Sequence, residues 1–357
     1  MTVTTDAVAL DGRHTKGISP LISPALLRQE HPMDPHVAGC VQRARAEITD
    51  IVHGADDRLL VVVGPCSIHD PAAALEYASL LAADAERFSG QLRIVMRAYF
   101  EKPRTTLGWK GLINDPDLDG SYAVNKGLRL ARGLLLEVSG LGLPVGCEFL
   151  DPIIPQFLAD TVSWGAIGAR TAASQVHRQL CSALSMPVGI KNSTEGDVQV
   201  AVDGVRAAAA EHVFPGINAD GLAALISTTG NPDCHVILRG GAAGPNFSAA
   251  DVADALRRLD SAGLPPRVIV DASHGNSGKN HLRQAEVVAE LADRIGAGEP
   301  GIMGLMLESF LVAGRQDLTL GRAGELCHGQ SITDACMDWT TTSALLERLA
   351  TAVDARR

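Results

Sequence analysis

Eight short apolar or β-branched runs alternate with eight helical patterns from residue 59 to the C-terminus, and this predicts an α/β fold, a parallel (β/α)8 TIM barrel. Three observations carry the prediction. The runs are apolar on both faces, as strands covered by helices must be. Their number is the one that closes such a sheet into a barrel, whose active site lies at the C-terminal strand ends. No G-x-G-x-x-G follows the first run, where a doubly wound dinucleotide-binding sheet would want one, so that open sheet ranks second.

Taken in order, residues 1 to about 33 read as an irregular arm, because Pro20 and Pro24 interrupt any regular period. From His36 to His53 the apolar residues Val37, Val41, Ala44, Ile48 and Ile51 recur at three to four positions. That spacing predicts an amphipathic helix outside the barrel, closed by Gly54. Residues 1–54 therefore form an extension, and 55–357 the catalytic barrel. The strands are read at LLVVVGPC (59–66), LRIVMRAY (92–99), LPVGCEFLD (143–151), WGAIGAR (164–170), PVGIKN (187–192), CHVILRG (234–240), RVIVDASH (267–274) and GIMGLMLES (301–309). Asp70 and Pro71 supply a cap and a first residue for the helix carrying Leu75, Ala78, Leu81 and Ala82. Helical spacing recurs at Leu128/Leu135/Val138, Phe157/Leu158/Val162, Val176/Leu180/Leu184, Val198/Val202/Val205, Val252/Leu256/Leu259, Leu282/Leu291/Ile295 and Leu345/Leu349/Val353. One segment breaks the rhythm. HVFPGINADGLAALISTTGN (212–231) is too long for an ordinary connection, and Asp220-Gly221 between apolar runs predicts an inserted β-hairpin before strand six. The arm and the hairpin are read as devices for oligomerisation, as a homodimer or homotetramer, or for regulation; a neutral decoration is the alternative.

Composition excludes several classes. Apolar residues make up 46% of the chain, enough for a large core. No apolar run approaches the roughly 18 residues that span a bilayer, and no basic segment followed by an apolar one opens the sequence. The expectation is a cytoplasmic protein with no membrane partner. A net charge of -10 argues against nucleic acid. Seven dispersed cysteines without a C-x-x-C pair argue against disulfide frameworks and zinc ribbons.

The chemistry gathers at the strand ends. The last polar residues of the eight runs are Cys66, Arg97, Glu148, Arg170, Lys191, Arg239, His274 and Glu308. Burying one unpaired ion there costs several kcal/mol, so a full rim of such residues points to ligands. Arg97, Lys102, Arg104, Arg170, Lys191 and Arg239 are cations, more than one phosphate needs, and they fit two anionic substrates. The stretch Ile94–Leu112 concentrates three of them beside a Thr105-Thr106 pair. RGGAAGPNFS (239–248) reads as a phosphate loop or a plain connection. Cys66, His274 and Glu308, with Asp334 beyond strand eight, form a mixed donor set able to hold one divalent metal, or else four separately satisfied residues. His69 is read as a capping or surface residue.

GPCSIHDP (64–71), MRAYFEKPRTTLGWKGLINDP (96–116), EFLD (148–151), WGAIGARTAASQVHR (164–178), PVGIKN (187–192), HVILRGG (235–241), DASHGNSGK (271–279), ES (308–309) and SITDAC (331–336) together resemble the type I, aromatic-regulated bacterial 3-deoxy-D-arabino-heptulosonate 7-phosphate (DAHP) synthases. The resemblance runs from about Leu59 to the C-terminus. It implies a barrel enzyme condensing phosphoenolpyruvate with erythrose 4-phosphate at the entry to the shikimate pathway. It implies metal ligands at Cys66, His274, Glu308 and Asp334, holding manganese, with iron, cobalt or zinc as alternatives. Phosphoenolpyruvate contacts fall on Arg97, Lys102, Arg170, Lys191 and Arg239 beside Glu148, and erythrose 4-phosphate contacts on Lys102, Pro103, Arg104 and Thr105. Proton transfer falls on Lys102, with Glu148 and His274 as alternatives. An aromatic amino acid effector would meet Pro155, Ser185, Phe214 and Gly216, the last standing where a serine is usual. Two other readings stay open: a Schiff-base aldolase using Lys191, and a non-catalytic aromatic-metabolite sensor.

Overall fold

In a computed structural model of the chain, which describes residues 12–104 and 106–357, the eight runs form one closed parallel barrel. Its strands are Leu59–Gly64, Leu92–Arg97, Val145–Glu148, Trp164–Ile167, Val188–Lys191, His235–Leu238, Val268–Asp271 and Ile302–Glu308. The first strand closes the ring, with Val62 opposite Val95 of the second strand and Met306 of the eighth. Side chains alternate along each strand. Leu60, Val62, Val95, Trp164, Ile237, Ile269 and Met306 fill the interior, while Leu59, Val61 and Val63 meet the surrounding helices. Each fully buried aliphatic side chain contributes roughly 1.5–3 kcal/mol.

The helix Pro35–His53 does more than stand outside. Its Ile48, Ile51 and Val52 join the interior cluster, so it plugs the N-terminal end of the barrel. Asp34 caps it by accepting from the amide of Val37. Two expectations need correction. Pro24 does not break structure; it is the first residue of a short helix, Pro24–Glu30, capped by Ser23, where a missing N–H costs nothing. The Phe157/Leu158/Val162 pattern yields only one turn, Pro155–Leu158, and a 3-10 turn, because Val162 is already extended and its carbonyl accepts from Arg45.

The insert is an antiparallel hairpin of Val213–Ile217 and Ala223–Ser227. Its turn is longer than an Asp-Gly pair. The amide of Asn218 donates to the carbonyl of Leu222, the Asn218 side chain accepts from Asp220 and Leu222, and Gly221 takes φ 80. The amide of Ala25 donates to the carbonyl of Ala219 at 2.8 Å, joining the arm helix to the hairpin tip. No helix among the described residues is long and apolar enough to cross a membrane.

Candidate active site

Parallel register lifts the polar residue at each strand's C-terminal end to the same level. There they line one cavity: Arg97, Lys102, Pro103, Arg104, Glu148, Arg170, Lys191, Arg239, His274 and Asp334. Gly168 leaves room for Glu148 beside it; a Cβ there would lie 2.1 Å from its Oε1 and the carboxylate would have to shift. Thr105 lies outside the described residues.

One side of the cavity is cationic. Lys191, 4% exposed, donates to the Oδ2 of Asp271 at 2.8 Å. The amide of Arg239 is held by the Asn192 side chain at 2.8 Å. Arg104 donates from Nε to the carbonyl of Trp109 at 2.9 Å, which aims its loop across the mouth.

The other side gathers donors. One ligand atom each from Cys66, Glu308 and Asp334 lies within 4.8 Å of the others. The Nε2 of His274 is 3.7 Å from the Oε1 of Glu308, so all four sequence candidates share this corner. His274 sits at φ 52, a left-handed conformation uncommon outside glycine. Its Nδ1 faces Oδ2 of Asp271 at 2.9 Å and Oγ of Ser273 at 2.6 Å. A hydrogen on Nδ1 directed to the carboxylate leaves the Nε2 lone pair facing the donor corner. Gln284 pins the end of strand eight, accepting from the amide of Glu308 at 2.8 Å and donating to its carbonyl at 2.9 Å.

The charges answer one another. Lys102 donates to the sulfur of Cys66 at 3.1 Å and to its carbonyl at 3.2 Å. Arg97 donates to Oε1 of Glu308 at 3.0 Å. Burial and Glu308 push the Cys66 thiol up, so binding a cation there must displace a proton. For Glu308 burial acts the same way, but His274, Arg97 and Lys102 outweigh it and hold the carboxyl below its ordinary range. Burial disfavours the Lys102 ammonium, yet Cys66, Glu308 and Glu148 keep its pKa above the usual lysine value.

The sequence reading missed Asp271, which is fully buried and bridges Lys191 to His274. Burial opposes its charge, but His274 and Lys191 hold it well below the carboxylate range. Its signal in the sequence is an acid inside an apolar run, RVIVDASH, three residues before the terminal His274. His69 is corrected: it is 6% exposed, edge-on to Phe310, with Nδ1 unpartnered among the described residues, while Asp70 does the capping. The effector candidates lie apart, at the arm and hairpin. Pro155 is buried beneath the arm, where Arg28 donates to the carbonyl of Gln156 at 2.9 Å. Phe214 and Gly216 are half-buried on the hairpin's first strand, and Ser185 is exposed. The hairpin base is tied to the helix before Ser185 by a 2.8 Å contact between the hydroxyls of Thr228 and Ser182.

A parallel barrel with cations on one side of its mouth and a thiol, an imidazole and carboxylates on the other defines a class: enzymes that hold anionic small molecules beside a metal-type donor set. Residues 33–347 match the model of the DAHP synthetase I family, and the chain belongs to that family. It is 53% identical to the Phe-sensitive phospho-2-dehydro-3-deoxyheptonate aldolase of Escherichia coli K12, covering 97% of this chain and 98% of that protein. It is also 53% identical to the Trp-sensitive enzyme of Enterobacter agglomerans, covering 97% and 99%. The solved structure of the Francisella tularensis aldolase of the same name superposes with a TM-score of 0.93 at 51% identity, covering 96% of this chain and 99% of that one.

Proposed function

We infer that the protein is a DAHP synthase, condensing phosphoenolpyruvate with D-erythrose 4-phosphate and water to give DAHP and inorganic phosphate. The observation that carries the reading is the single cavity in which Arg97, Lys102, Arg170, Lys191 and Arg239 face His274 and Asp334. Two phosphorylated substrates repel each other, and clustered cations offset that repulsion while fixing both at reacting distance.

We assign the phosphate and carboxylate of phosphoenolpyruvate to Arg170, Lys191 and Arg239, with Arg97 and Lys102 at the inner edge. Erythrose 4-phosphate is assigned to Lys102, Pro103, Arg104 and Thr105, its phosphate to Arg104 and Thr105. Cys66, His274, Glu308 and Asp334 fit one divalent first-row cation, manganese being our choice, because a thiol, an imidazole and two carboxylates turn their donor atoms to one corner. When bound, the ion supplies Lewis acidity toward the aldehyde of the sugar phosphate.

The chain's own groups do the rest. The cations hold the methylene carbon of phosphoenolpyruvate toward the aldehyde carbon, and the new C–C bond forms between them. The aldehyde oxygen then takes a proton, which we assign to the Nζ of Lys102, kept protonated by Cys66 and Glu308. Water adds to the cationic centre left on phosphoenolpyruvate, with Glu148 beside it, and the tetrahedral intermediate expels phosphate by C–O cleavage. Lys191 donates to a buried carboxylate, the posture of an anion-binding cation rather than of a Schiff-base nucleophile. The arm and hairpin are assigned to an aromatic amino acid effector at Pro155, Ser185, Phe214 and Gly216, and to contacts between copies in a homodimer or homotetramer.

The decisive experiment measures phosphate release with both substrates and manganese, then with chelator, then with each aromatic amino acid. Activity that needs both substrates and vanishes with chelator is the expected result. Chelator-resistant activity trapped by borohydride would instead select the Lys191 aldolase.

A further inference from the structure

Arg97 is assigned to substrate, yet it is 1% exposed and most of its donors are already engaged. Nε donates to the carbonyl of Pro65 at 3.2 Å, and Nη2 to the carbonyl of Cys66 at 3.1 Å and to Oε1 of Glu308 at 3.0 Å. Nη1 lies 3.3 Å from the sulfur of Met306. These partners fix the edge of the guanidinium. Its plane is set by another residue: the Cζ of Arg97 lies 3.5 Å from the centroid of the Tyr99 ring. Positions 97 and 99 are two apart along an extended stretch and so face the same way. Tyr99 is fully buried, packed with Val62, Val95, Trp164 and Met306, and its hydroxyl has no hydrogen-bond partner among the described residues.

We propose that Tyr99 is a positioning residue for the condensation, its aromatic face holding Arg97 flat so that one guanidinium serves both the donor corner and the phosphoenolpyruvate pocket. This rests on the proposed function. Tyr99 touches neither ligand site; it acts through Arg97. An aromatic face under a desolvated cation attracts it and blocks tilting, whereas an aliphatic side chain of the same volume does only the second in part. If the plane tilts, the carbonyl of Cys66 and the carboxylate of Glu308 lose their common anchor, and the remaining N–H of Nη1 leaves the cavity. The unpartnered hydroxyl contributes nothing to this, so the ring alone is required.

The test uses the full-length protein and two readouts, manganese affinity by direct titration and the separate KM and kcat for phosphoenolpyruvate. Tyr99→Met keeps the bulk without the ring. It is expected to weaken manganese binding and to raise the KM for phosphoenolpyruvate, each about tenfold, the scale of a buried cation–π contact. With manganese saturating, its KM for erythrose 4-phosphate should stay within about twofold, as the phosphate of that substrate is assigned to the Arg104 loop and not to Arg97. Tyr99→Phe should match the wild type in both readouts. Arg97→Lys and Tyr99→Met together should be no worse than Arg97→Lys alone, because one acts through the other. Wild-type affinities in a folded Tyr99→Met protein, additive effects in the double variant, or a Tyr99→Phe as impaired as Tyr99→Met would each overturn the proposal. If Tyr99→Met does not fold, Tyr99→Phe still decides whether the hydroxyl is dispensable as the proposal requires. Absence of phosphate release from the wild type would count against the enzyme assignment; a failure of Tyr99 alone would leave that assignment standing.

Discussion

At the barrel mouth Arg97, Lys191 and Glu308 are 1%, 4% and 1% exposed, and each meets a buried group of opposite sign. On the hairpin Val213, Leu222 and Leu225 stand 60%, 65% and 72% exposed and meet no such partner among the described residues. The two regions obey opposite rules. The mouth buries charge at a desolvation cost that only mutual pairing offsets, so each residue's position depends on the others. The arm and hairpin are joined by single contacts such as Ala25 to Ala219 and leave apolar surface to solvent. Chemistry is thus placed where register and pairing forbid drift, and adaptation where a few contacts can be exchanged.

The largest expected effect tests the donor corner. Cys66→Ala should leave the fold intact, weaken manganese binding by more than the roughly hundredfold seen when an outer partner of a metal ligand is lost, and abolish turnover. Equilibrium dialysis with manganese and the phosphate-release assay check both halves. Full activity in a metal-stripped variant would sink the ligand assignment. Next comes the pairing itself. Asp271→Asn leaves Lys191 and His274 without their shared carboxylate. It should weaken manganese binding by about ten- to a hundredfold and raise the KM for phosphoenolpyruvate in parallel. A variant that loses only one of the two functions would break the claim that the mouth is a single interdependent set.

That interdependence also marks what the sequence could reveal. The eight strands were legible because a both-face apolar run marks a parallel strand covered by helices, with their number favouring a closed barrel over an open sheet, and the rim residues because a charge ending such a run is anomalous. Asp271 and Tyr99 were not, since their meaning lies in what they touch across the barrel: Lys191 eighty positions away, or the guanidinium of Arg97. Pro24 misled because proline both starts and stops helices, and only the Ser23 cap distinguishes the two. The helix Pro35–His53 had the right period, but period alone does not say that Ile48 and Ile51 plug a barrel.

Arg104 is exposed on its loop at the mouth, its Nε donating to the carbonyl of Trp109. Removing one charge-assisted phosphate contact costs roughly ten- to a hundredfold in binding. Arg104→Ala should therefore raise the KM for erythrose 4-phosphate by that factor and the KM for phosphoenolpyruvate much less. Equal shifts in initial-rate kinetics would mean that the two anions are assigned the wrong way round.

Glu101 is buried beside the mouth, next to Lys102 in sequence and accepting from the amide of Leu150 at 3.5 Å. Burial, with Asp151 and Glu148 nearby, pushes its carboxyl up to about 8 from an ordinary 4.5. Between those two pH values the folded chain keeps a proton that the unfolded chain releases, so stability falls as pH rises through the window and levels off above it. The slope approaches about 1.4 kcal/mol per pH unit for one such group. Thermal unfolding from pH 5 to 9 should show the wild type losing more than Glu101→Gln; parallel curves would refute the linkage.

The smallest effect belongs to the hairpin. A Cβ at Gly216 would lie 2.4 Å from the Cδ1 of Ile226, the free end of a flexible side chain rather than backbone. Gly216→Ser can be accommodated by a rotation of Ile226, at a cost of about 1 kcal/mol for an off-minimum side chain. The donor corner and the cations of the mouth do not share that contact, so kcat and both KM values should stay within about twofold. What should change is the concentration of phenylalanine, tyrosine or tryptophan that half-inhibits, because the new hydroxyl stands beside Phe214 on the face assigned to the effector. Dose–response curves with each amino acid read this directly. A shift in kcat with unchanged inhibition would reverse the division of labour between mouth and hairpin.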